Sequence, residues 1–134
     1  MFNERNLLSL AQTAADESYS PYSGFKVGAA LLCADGSVYL GTNIENSSYS
    51  ATLCAERVAF SKAIIEGKRE FLAIAVVGGL DDLTLKQCYP CGVCLQFMSE
   101  FVGDGFEVLL TENNIVYRYL LNELLPKGFE LKKG

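Results

Sequence analysis

Cysteines at the predicted starts of two helices constrain this chain more than any other feature. Cys54 stands alone, whereas Cys91 and Cys94 are three positions apart, so both of their thiols can reach one ion from a helix N-terminus. The unpaired N–H groups of a helix start also favour thiolates. Three protein ligands leave a fourth tetrahedral position for water, which is typical of catalytic rather than structural zinc. The spacing therefore predicts a zinc centre with an open position.

The composition limits what other chemistry the chain can perform. It has five cysteines and no histidine, which excludes a histidine-dependent nucleophile and any His-ligated metal. Its 11 basic and 16 acidic residues give a net charge of −5, and the basic residues are scattered. Nucleic-acid binding needs a basic stripe, and the sequence has no Gly-rich phosphate loop. We therefore expect a small substrate without phosphate and no nucleic-acid partner.

The length and hydropathy of the chain indicate one domain away from membranes. A single domain over residues 1–134 fits the length and leaves enough residues to bury a core. The longest apolar stretch is far shorter than a membrane span, and the first residues lack the pattern of a signal peptide. An odd number of cysteines argues against a disulfide scaffold. We expect a cytoplasmic protein with no membrane partner.

Apolar periodicity and turn residues predict the order α-β-β-α-β-α-β-β-α. Pro90 is expected to open the third helix, because proline suits a first helical turn. This order predicts an α/β fold, with a single mixed sheet and helices packed on its faces. The predicted helices cover residues 3–19, 54–66, 92–101 and 121–125, and the predicted strands cover 26–33, 37–44, 71–78, 106–111 and 115–119.

Glu56 follows Cys54 by two positions, close enough within a first helical turn to face the open position of the ion. A carboxylate there can take a proton from water and hand it to a ring nitrogen and then to leaving ammonia. Zinc deaminases have this arrangement, with a glutamate that does not bind the metal. Three thiolates on a dication leave a charge of −1, and Arg57 is the candidate to compensate for it.

The same cysteines allow a second interpretation. Cys88 precedes Cys91 by three positions, so it could join the other ligands and close a structural zinc site or seat a cluster. Pro90 argues against this site, because it fixes the backbone and is expected to leave Cys88 in the approach loop. A closed site would also give Glu56 no role. Cys33, inside an apolar strand, is expected to be a small core residue.

Four motifs, spread over nearly the whole chain, resemble those of the small cytidine deaminases that form homotetramers. The resemblance implies a three-layer fold with a mixed five-stranded sheet between helices, and zinc as the cofactor. It also implies hydrolytic deamination of cytidine or deoxycytidine in pyrimidine salvage, by a homotetramer with sites at the subunit interfaces. The motifs lie at residues 20–30, 41–46, 54–57 and 90–94.

The resemblance also implies roles for residues that contact the substrate. Asn43 and Glu45 match a pair that binds the sugar hydroxyls, and their side chains point the same way on an extended strand end. Phe25 matches an aromatic of the nucleoside pocket, and Ala55 matches a residue whose backbone meets the base edge. Phe129 matches an aromatic that packs on the base from a neighbouring subunit. A core position for Phe25 and a C-terminal anchor for Phe129 are the alternatives.

Other positions bear on subunit contacts and on substrate choice. Tyr49 matches a loop tyrosine near subunit contacts, whereas Leu95 stands where the family commonly has an arginine, so Arg57 is expected to carry more of the charge compensation. Blasticidin S deaminases also resemble this family, and a related aminopyrimidine nucleoside is therefore an alternative substrate. The net charge argues against a polynucleotide-editing enzyme.

Overall fold

Helices and strands follow one another in the order that the apolar pattern predicts. The structure, a computed structural model, describes residues 2–131 and 133. A short 3₁₀ turn, Tyr49–Ala51, interrupts the loop before the second helix. The helices are α1 (Glu4–Ala15), α2 (Ala55–Ile65), α3 (Gly92–Ser99) and α4 (Leu121–Leu124), and the strands are β1 (Lys26–Cys33), β2 (Val38–Thr42), β3 (Phe71–Gly79), β4 (Glu107–Glu112) and β5 (Ile115–Leu120).

The five strands form one mixed sheet in the order β2-β1-β3-β4-β5. The pairs β1–β2, β1–β3 and β4–β5 are antiparallel, whereas β3 and β4 are parallel. A parallel pair needs a crossover connection, and α3 lies in that connection. The topology therefore places α3 beside the centre of the sheet, where the predicted metal-binding cysteines begin the helix.

Both faces of the sheet are covered, which gives three layers. Along β1, the side chains of Ala29 and Leu31 belong to the core cluster shared with α2 and α3. Ala30 and Leu32 belong to the opposite cluster, beneath α1. This alternation of faces explains why the strand reads as a continuous apolar run. The predicted three-layer α/β fold is confirmed.

Two glycines allow helices to lie directly against the sheet backbone. A Cβ atom at Gly28 would lie 1.8 Å from the Ala11 carbonyl oxygen of α1. A Cβ atom at Gly41 would lie 2.2 Å from the carbonyl oxygen of Ala55, the first residue of α2. Neither position has room for a side chain, so glycine here is a packing requirement. Gly41 thereby sets the distance between the sheet and the start of α2.

Two helix ends differ from the prediction. The first helix was expected to continue to residue 19, but Tyr19 instead donates its N–H to Asn43 O (3.1 Å) and accepts from Glu45 N (2.8 Å). This extended pairing with the chain after β2 ends the helix early. Pro90 does not open the third helix, because Cys91 has extended dihedrals and is the N-cap residue of α3.

Among the helices in the described residues, none combines the length and apolar character that crossing a membrane requires.

Candidate metal centre and substrate site

Three cysteine thiols meet where α2 and α3 begin. Cys54 and Cys91 are the N-cap residues of these helices, and Cys94 lies in the first turn of α3, fully buried. The three Sγ atoms lie within 4.8 Å of one another, and those of Cys54 and Cys91 are 4.0 Å apart. A tetrahedral zinc with bonds of about 2.3 Å separates its sulfur ligands by about 3.8 Å. The donor set therefore fits one zinc ion.

The guanidinium of Arg57 lies against this cluster. Its Nη2 donates to Thr52 O (3.2 Å) and to Cys54 Sγ (3.5 Å). Its buried Nε has no hydrogen-bond partner among the described residues. A hydrogen bond from the Cys94 thiol and then the Arg57 guanidinium lower the pKa of Cys54. The bond to Cys54 in turn raises the pKa of Arg57. The positive charge thus lies where three thiolates on a dication would leave excess negative charge.

Glu56 is the second residue of α2 and only 4% exposed. Its pKa is raised to about 7, mainly by burial and also by the negative charge of Cys54, while a backbone hydrogen bond and the charge of Arg57 oppose the shift. A metal dication nearby would favour the ionised form. A group that accepts and returns a proton works best when its pKa lies near the working pH. The environment of Glu56 therefore suits proton transfer.

Cys88 is excluded from the thiol cluster. Among the described residues, the group close enough to share an ion contains Cys54, Cys91 and Cys94. The Cys88 sulfur instead packs on the backbone of Gly78, where an added Cβ would approach it to 2.6 Å. Burial raises the pKa of Cys88 to about 12, so its thiol stays protonated. The four-thiolate structural site is not supported. Cys33 lies in the core, as expected.

Asn43 uses most of its hydrogen-bonding capacity inside the protein. Its Oδ1 accepts from Val27 N (3.0 Å) and Ser18 Oγ (2.6 Å), and its Nδ2 donates to Phe25 O (2.8 Å). The side chain is 8% exposed. These contacts tie the end of β2 to the start of β1 and fix the backbone of Phe25. One N–H of Nδ2 remains for another acceptor.

Glu45 lies on the wall of a cleft. Its Oε1 accepts from Tyr22 N (3.0 Å) and Ser23 N (3.2 Å), and Ser23 Oγ donates to its Oε2. The hydrogen bond from the Ser23 hydroxyl lowers the pKa of Glu45, so the carboxylate is ionised. The cleft has a volume of ≈ 340 Å³. Thr52 also lines the cleft, and its carbonyl oxygen accepts a hydrogen bond from Arg57, which lies against the thiols. The cleft therefore borders the thiol cluster. The cleft is lined by Tyr22, Ser23, Glu45, Asn46, Tyr49 and Thr52.

The remaining predicted site residues differ in their exposure. Ala55 is fully buried under Gly41, whereas Phe25 is 39% exposed at the start of β1. Tyr49 and Phe129 are 79% and 68% exposed. Phe25 opens towards solvent beside Cys88 and Gly78, and it is therefore not a core residue. Phe129 follows α4, and its ring is free of the core in a single chain.

Some positions that shape this region had no role in the sequence interpretation. Ser18 bonds to Asn43, and no motif marks it. Gln96 forms hydrogen bonds with the backbone of Phe129, and the only sequence feature that marked it was its place on the cysteine helix. Leu95, by contrast, was noted in the sequence because it stands where an arginine is common, and it is buried in the core shared by α2 and α3. The polar partners lie far apart in sequence, so only the folded chain reveals them.

Comparison with known proteins matches these observations. The family model described as the cytidine and deoxycytidylate deaminase zinc-binding region matches residues 1–108. A cytidine deaminase of Sporosarcina psychrophila is 44% identical over 124 residues, which is 92% of this chain and 88% of that protein. The crystal structure of a cytidine deaminase from Burkholderia pseudomallei has a TM-score of 0.87 and 42% identity, and the match covers 96% of this chain and 100% of that one.

A blasticidin-S deaminase bears on the alternative substrate. The enzyme of Bacillus cereus is 29% identical over 125 residues, which is 89% of each chain. A cytidine deaminase of Halalkalibacterium halodurans is 45% identical over 124 residues, which is 92% of this chain and 91% of that protein. The similarity is therefore clearly greater to the proteins named for cytidine.

Proposed function

The chain belongs to the cytidine and deoxycytidylate deaminase family, and on this premise we propose that it hydrolyses free cytidine or deoxycytidine to the uracil nucleoside and ammonia. It is a zinc-dependent hydrolase. The observation that carries the proposal is the meeting of three thiols within 4.8 Å beside Glu56, which is buried in the first turn of α2. This combination supplies a metal site and a proton carrier at one place.

The proposed roles follow from the chemistry of each group. Cys54, Cys91 and Cys94 would hold zinc, which when bound would act as a Lewis acid and lower the pKa of water so that hydroxide is available as the nucleophile at neutral pH. The Glu56 carboxylate takes one proton from the attacking water and delivers it to the ring nitrogen next to the reacting carbon. It then carries the second proton to the departing amine, which leaves as ammonia. Arg57 offsets the negative charge of the thiolates.

The cleft suits a neutral sugar. The Glu45 carboxylate, which lines the cleft, can accept a hydrogen bond from a sugar hydroxyl. Asn43 lies two positions earlier, outside the lining, and its remaining N–H is proposed to donate to the sugar. Phe25 and Ala55 are not among the residues that line the cleft. In the proposed complex, the exposed Phe25 at the start of β1 offers an aromatic face, and the start of α2 at Ala55 offers backbone groups to the base edge. None of the described residues that line the cleft is basic. A 5′-phosphate would meet the charge of Glu45 without a compensating cation, so we propose the free nucleoside as substrate.

We further propose a homotetramer that works in cytoplasmic pyrimidine salvage. Tyr22, Tyr49 and Phe129 expose 56%, 79% and 68% of their surface. Large exposed aromatics of this kind are common at sites of protein association. In the proposed assembly, Phe129 packs on the base bound in a neighbouring subunit. The support is the exposure of these rings together with the resemblance to the homotetrameric enzymes.

A substrate panel tests the proposal. One preparation is assayed for ammonia release from cytidine, deoxycytidine, cytidine 5′-monophosphate, cytosine, adenosine and blasticidin S, and its zinc content is measured in parallel. We expect about one zinc per chain and rapid turnover of the two nucleosides. Ammonia from blasticidin S alone would reassign the substrate. A preparation that binds zinc and deaminates none of these compounds would refute the enzymatic role.

A further inference from the structure

Gln96 connects the metal-binding helix to the C-terminal tail, defined here as residues 126–131. It lies two positions after Cys94 on α3 and is half-buried. Its Nε2 donates to Phe129 O (2.7 Å), and its Oε1 accepts from Phe129 N (3.4 Å). Both halves of the side-chain amide therefore bind the backbone of one residue, in the manner of a neighbouring strand.

The tail has little else to hold it. In the described part of the tail, the other backbone hydrogen bond runs from Gly128 N to Leu125 O at 3.4 Å. A cleft of ≈ 310 Å³ separates the tail from the ends of α3 and α4, with Ser99, Leu121 and Leu125 on its inner wall. The tail spans this cleft instead of filling the core. Beyond the tail, Lys133 and Glu100 form an exposed ion pair (3.6 Å), which contributes little. The hydrogen bonds of Gln96 are therefore the main described contacts that fix Phe129.

The local geometry brings the backbone close to the helix. A Cβ atom at Gly128 would lie 2.7 Å from Leu125 Cδ2 and 3.7 Å from Gln96 Oε1. A side chain at position 128 would have to displace the side chain of Leu125, so glycine suits the approach that lets the following residue reach Gln96. The result is a phenylalanine whose backbone is held by Gln96 and which is 68% exposed as a residue. A ring presented in this way is ready to enter a surface on another molecule without further ordering of the chain.

We propose that Gln96 is a positioning residue that holds Phe129 in the orientation needed to close the nucleoside site of a neighbouring subunit. The inference rests on the proposed function and on its assembly of identical chains. Gln96 does not touch the substrate; it acts through the Phe129 ring. Since α3 also carries two of the proposed zinc ligands, one helix serves the metal of its own subunit and the substrate of the next.

Steady-state kinetics with cytidine test this role. In Gln96→Ala, the KM is expected to rise roughly tenfold, the equivalent of one or two lost hydrogen bonds, while kcat and zinc content stay near those of the parent. Gln96→Glu, which keeps the shape but cannot donate to the Phe129 carbonyl when ionised, should act in the same direction. Gln12→Ala, on the remote helix α1, is the control with unchanged KM.

A double-mutant cycle identifies the route of the effect. Phe129→Ala should raise the KM at least as much as Gln96→Ala, and the double variant should be no worse than Phe129→Ala alone. An unchanged KM in both folded, zinc-containing Gln96 variants would overturn the inference, as would additive effects in the double variant. Failure of the parent enzyme to deaminate cytidine would instead refute the proposed function, so the two failures are distinguishable.

Discussion

Arg57 Nη2 lies 3.5 Å from the sulfur of Cys54, three residues earlier in the chain. Cys54 ends the extended segment as the N-cap residue, and Arg57 is the third residue of α2. The first turn of α2 and its N-cap residue therefore carry a proposed metal ligand, the proposed proton carrier Glu56 and the cation proposed to offset the ligand charge. Any shift of this turn would change all three together.

Replacing Arg57 with glutamine should slow catalysis more than it weakens folding. The variant loses a charged hydrogen bond to sulfur, of about 1.5–3 kcal/mol, so we expect kcat to fall roughly 10- to 100-fold. The kcat for cytidine is compared with the free energy of unfolding in urea, and zinc titration checks that the metal is retained. Equal losses in turnover and in unfolding free energy would show that the guanidinium serves only to support the Thr52 loop. Arg69→Gln, a change at an arginine that bonds the carbonyl of Ile64, is the matched control.

Replacing Glu56 with glutamine should preserve the metal and abolish most turnover. The amide has the same shape but cannot carry protons, and proton transfer of this kind contributes about 10²- to 10⁴-fold. Burial is easier for the neutral amide than for a carboxylate, so the variant should fold at least as well. The checks are ammonia release and zinc content. Full activity of the variant would remove Glu56 from the mechanism.

Cys88→Ser and Cys91→Ser form a matched pair. Cys88 lies against Gly78 with a protonated thiol, so its replacement should leave zinc content and kcat unchanged. Cys91 is one of the three converging thiols, and its replacement should remove most of the metal. Metal analysis after dialysis against a weak chelator measures both. Loss of zinc in Cys88→Ser would restore the four-thiolate site.

Asn43 and Glu45 should respond differently to substitution. Asn43→Ala leaves buried partners on Ser18, Phe25 and Val27 unsatisfied, so we expect unfolding free energy to fall by about 1–3 kcal/mol. Glu45→Gln keeps an oxygen acceptor for the loop but loses the charge that attracts a hydroxyl donor. Its KM should rise roughly tenfold with little change in stability. If the KM for cytidine is unchanged in both variants, the assignment of this cleft to the sugar is contradicted.

The turn between β1 and β2 should contribute a pH-dependent stability. The hydrogen bond from Lys68, followed by those from Ser37, holds the pKa of Asp35 well below its usual range. Because the pKa is depressed in the folded state, the stabilisation is present above the unfolded carboxyl pKa of about 4 and declines as the pH falls below it. Urea midpoints of the parent and Asp35→Asn should differ most near pH 7 and converge in acid. A gap independent of pH would contradict the ion pair.

Apolar periodicity and turn residues made the order of the helices and strands predictable. The apolar run that follows Lys26 made β1 predictable, because a strand covered on both faces is almost continuously apolar. The sheet order and the parallel pairing of β3 with β4 depend on contacts distant in sequence, and the chain pattern alone does not determine them. Tyr19 shows the same limit, since its pairing with Asn43 and Glu45 overrides helical periodicity.

The site was predictable in its metal chemistry and less so in its polar contacts. The spacing of Cys91 and Cys94 brought both thiols to one helix start, as expected, whereas Cys88, with the same spacing, faces away because the loop before α3 is extended. The side chain of Asn43 could have faced the solvent or the protein backbone, and the sequence does not distinguish these two orientations. Gln96 acts on a residue 33 positions away, which no local pattern indicates.

The close contact between Gly41 and the Ala55 carbonyl also bears on how this enzyme can be altered by design. An added methyl group would push the start of α2 outward and carry Cys54 and Glu56 away from the thiols of α3. Libraries that seek new nucleoside substrates can therefore vary the cleft around Tyr22 and Asn46 while holding position 41 constant. That one position limits the structural freedom of the reaction centre without contributing any chemistry of its own.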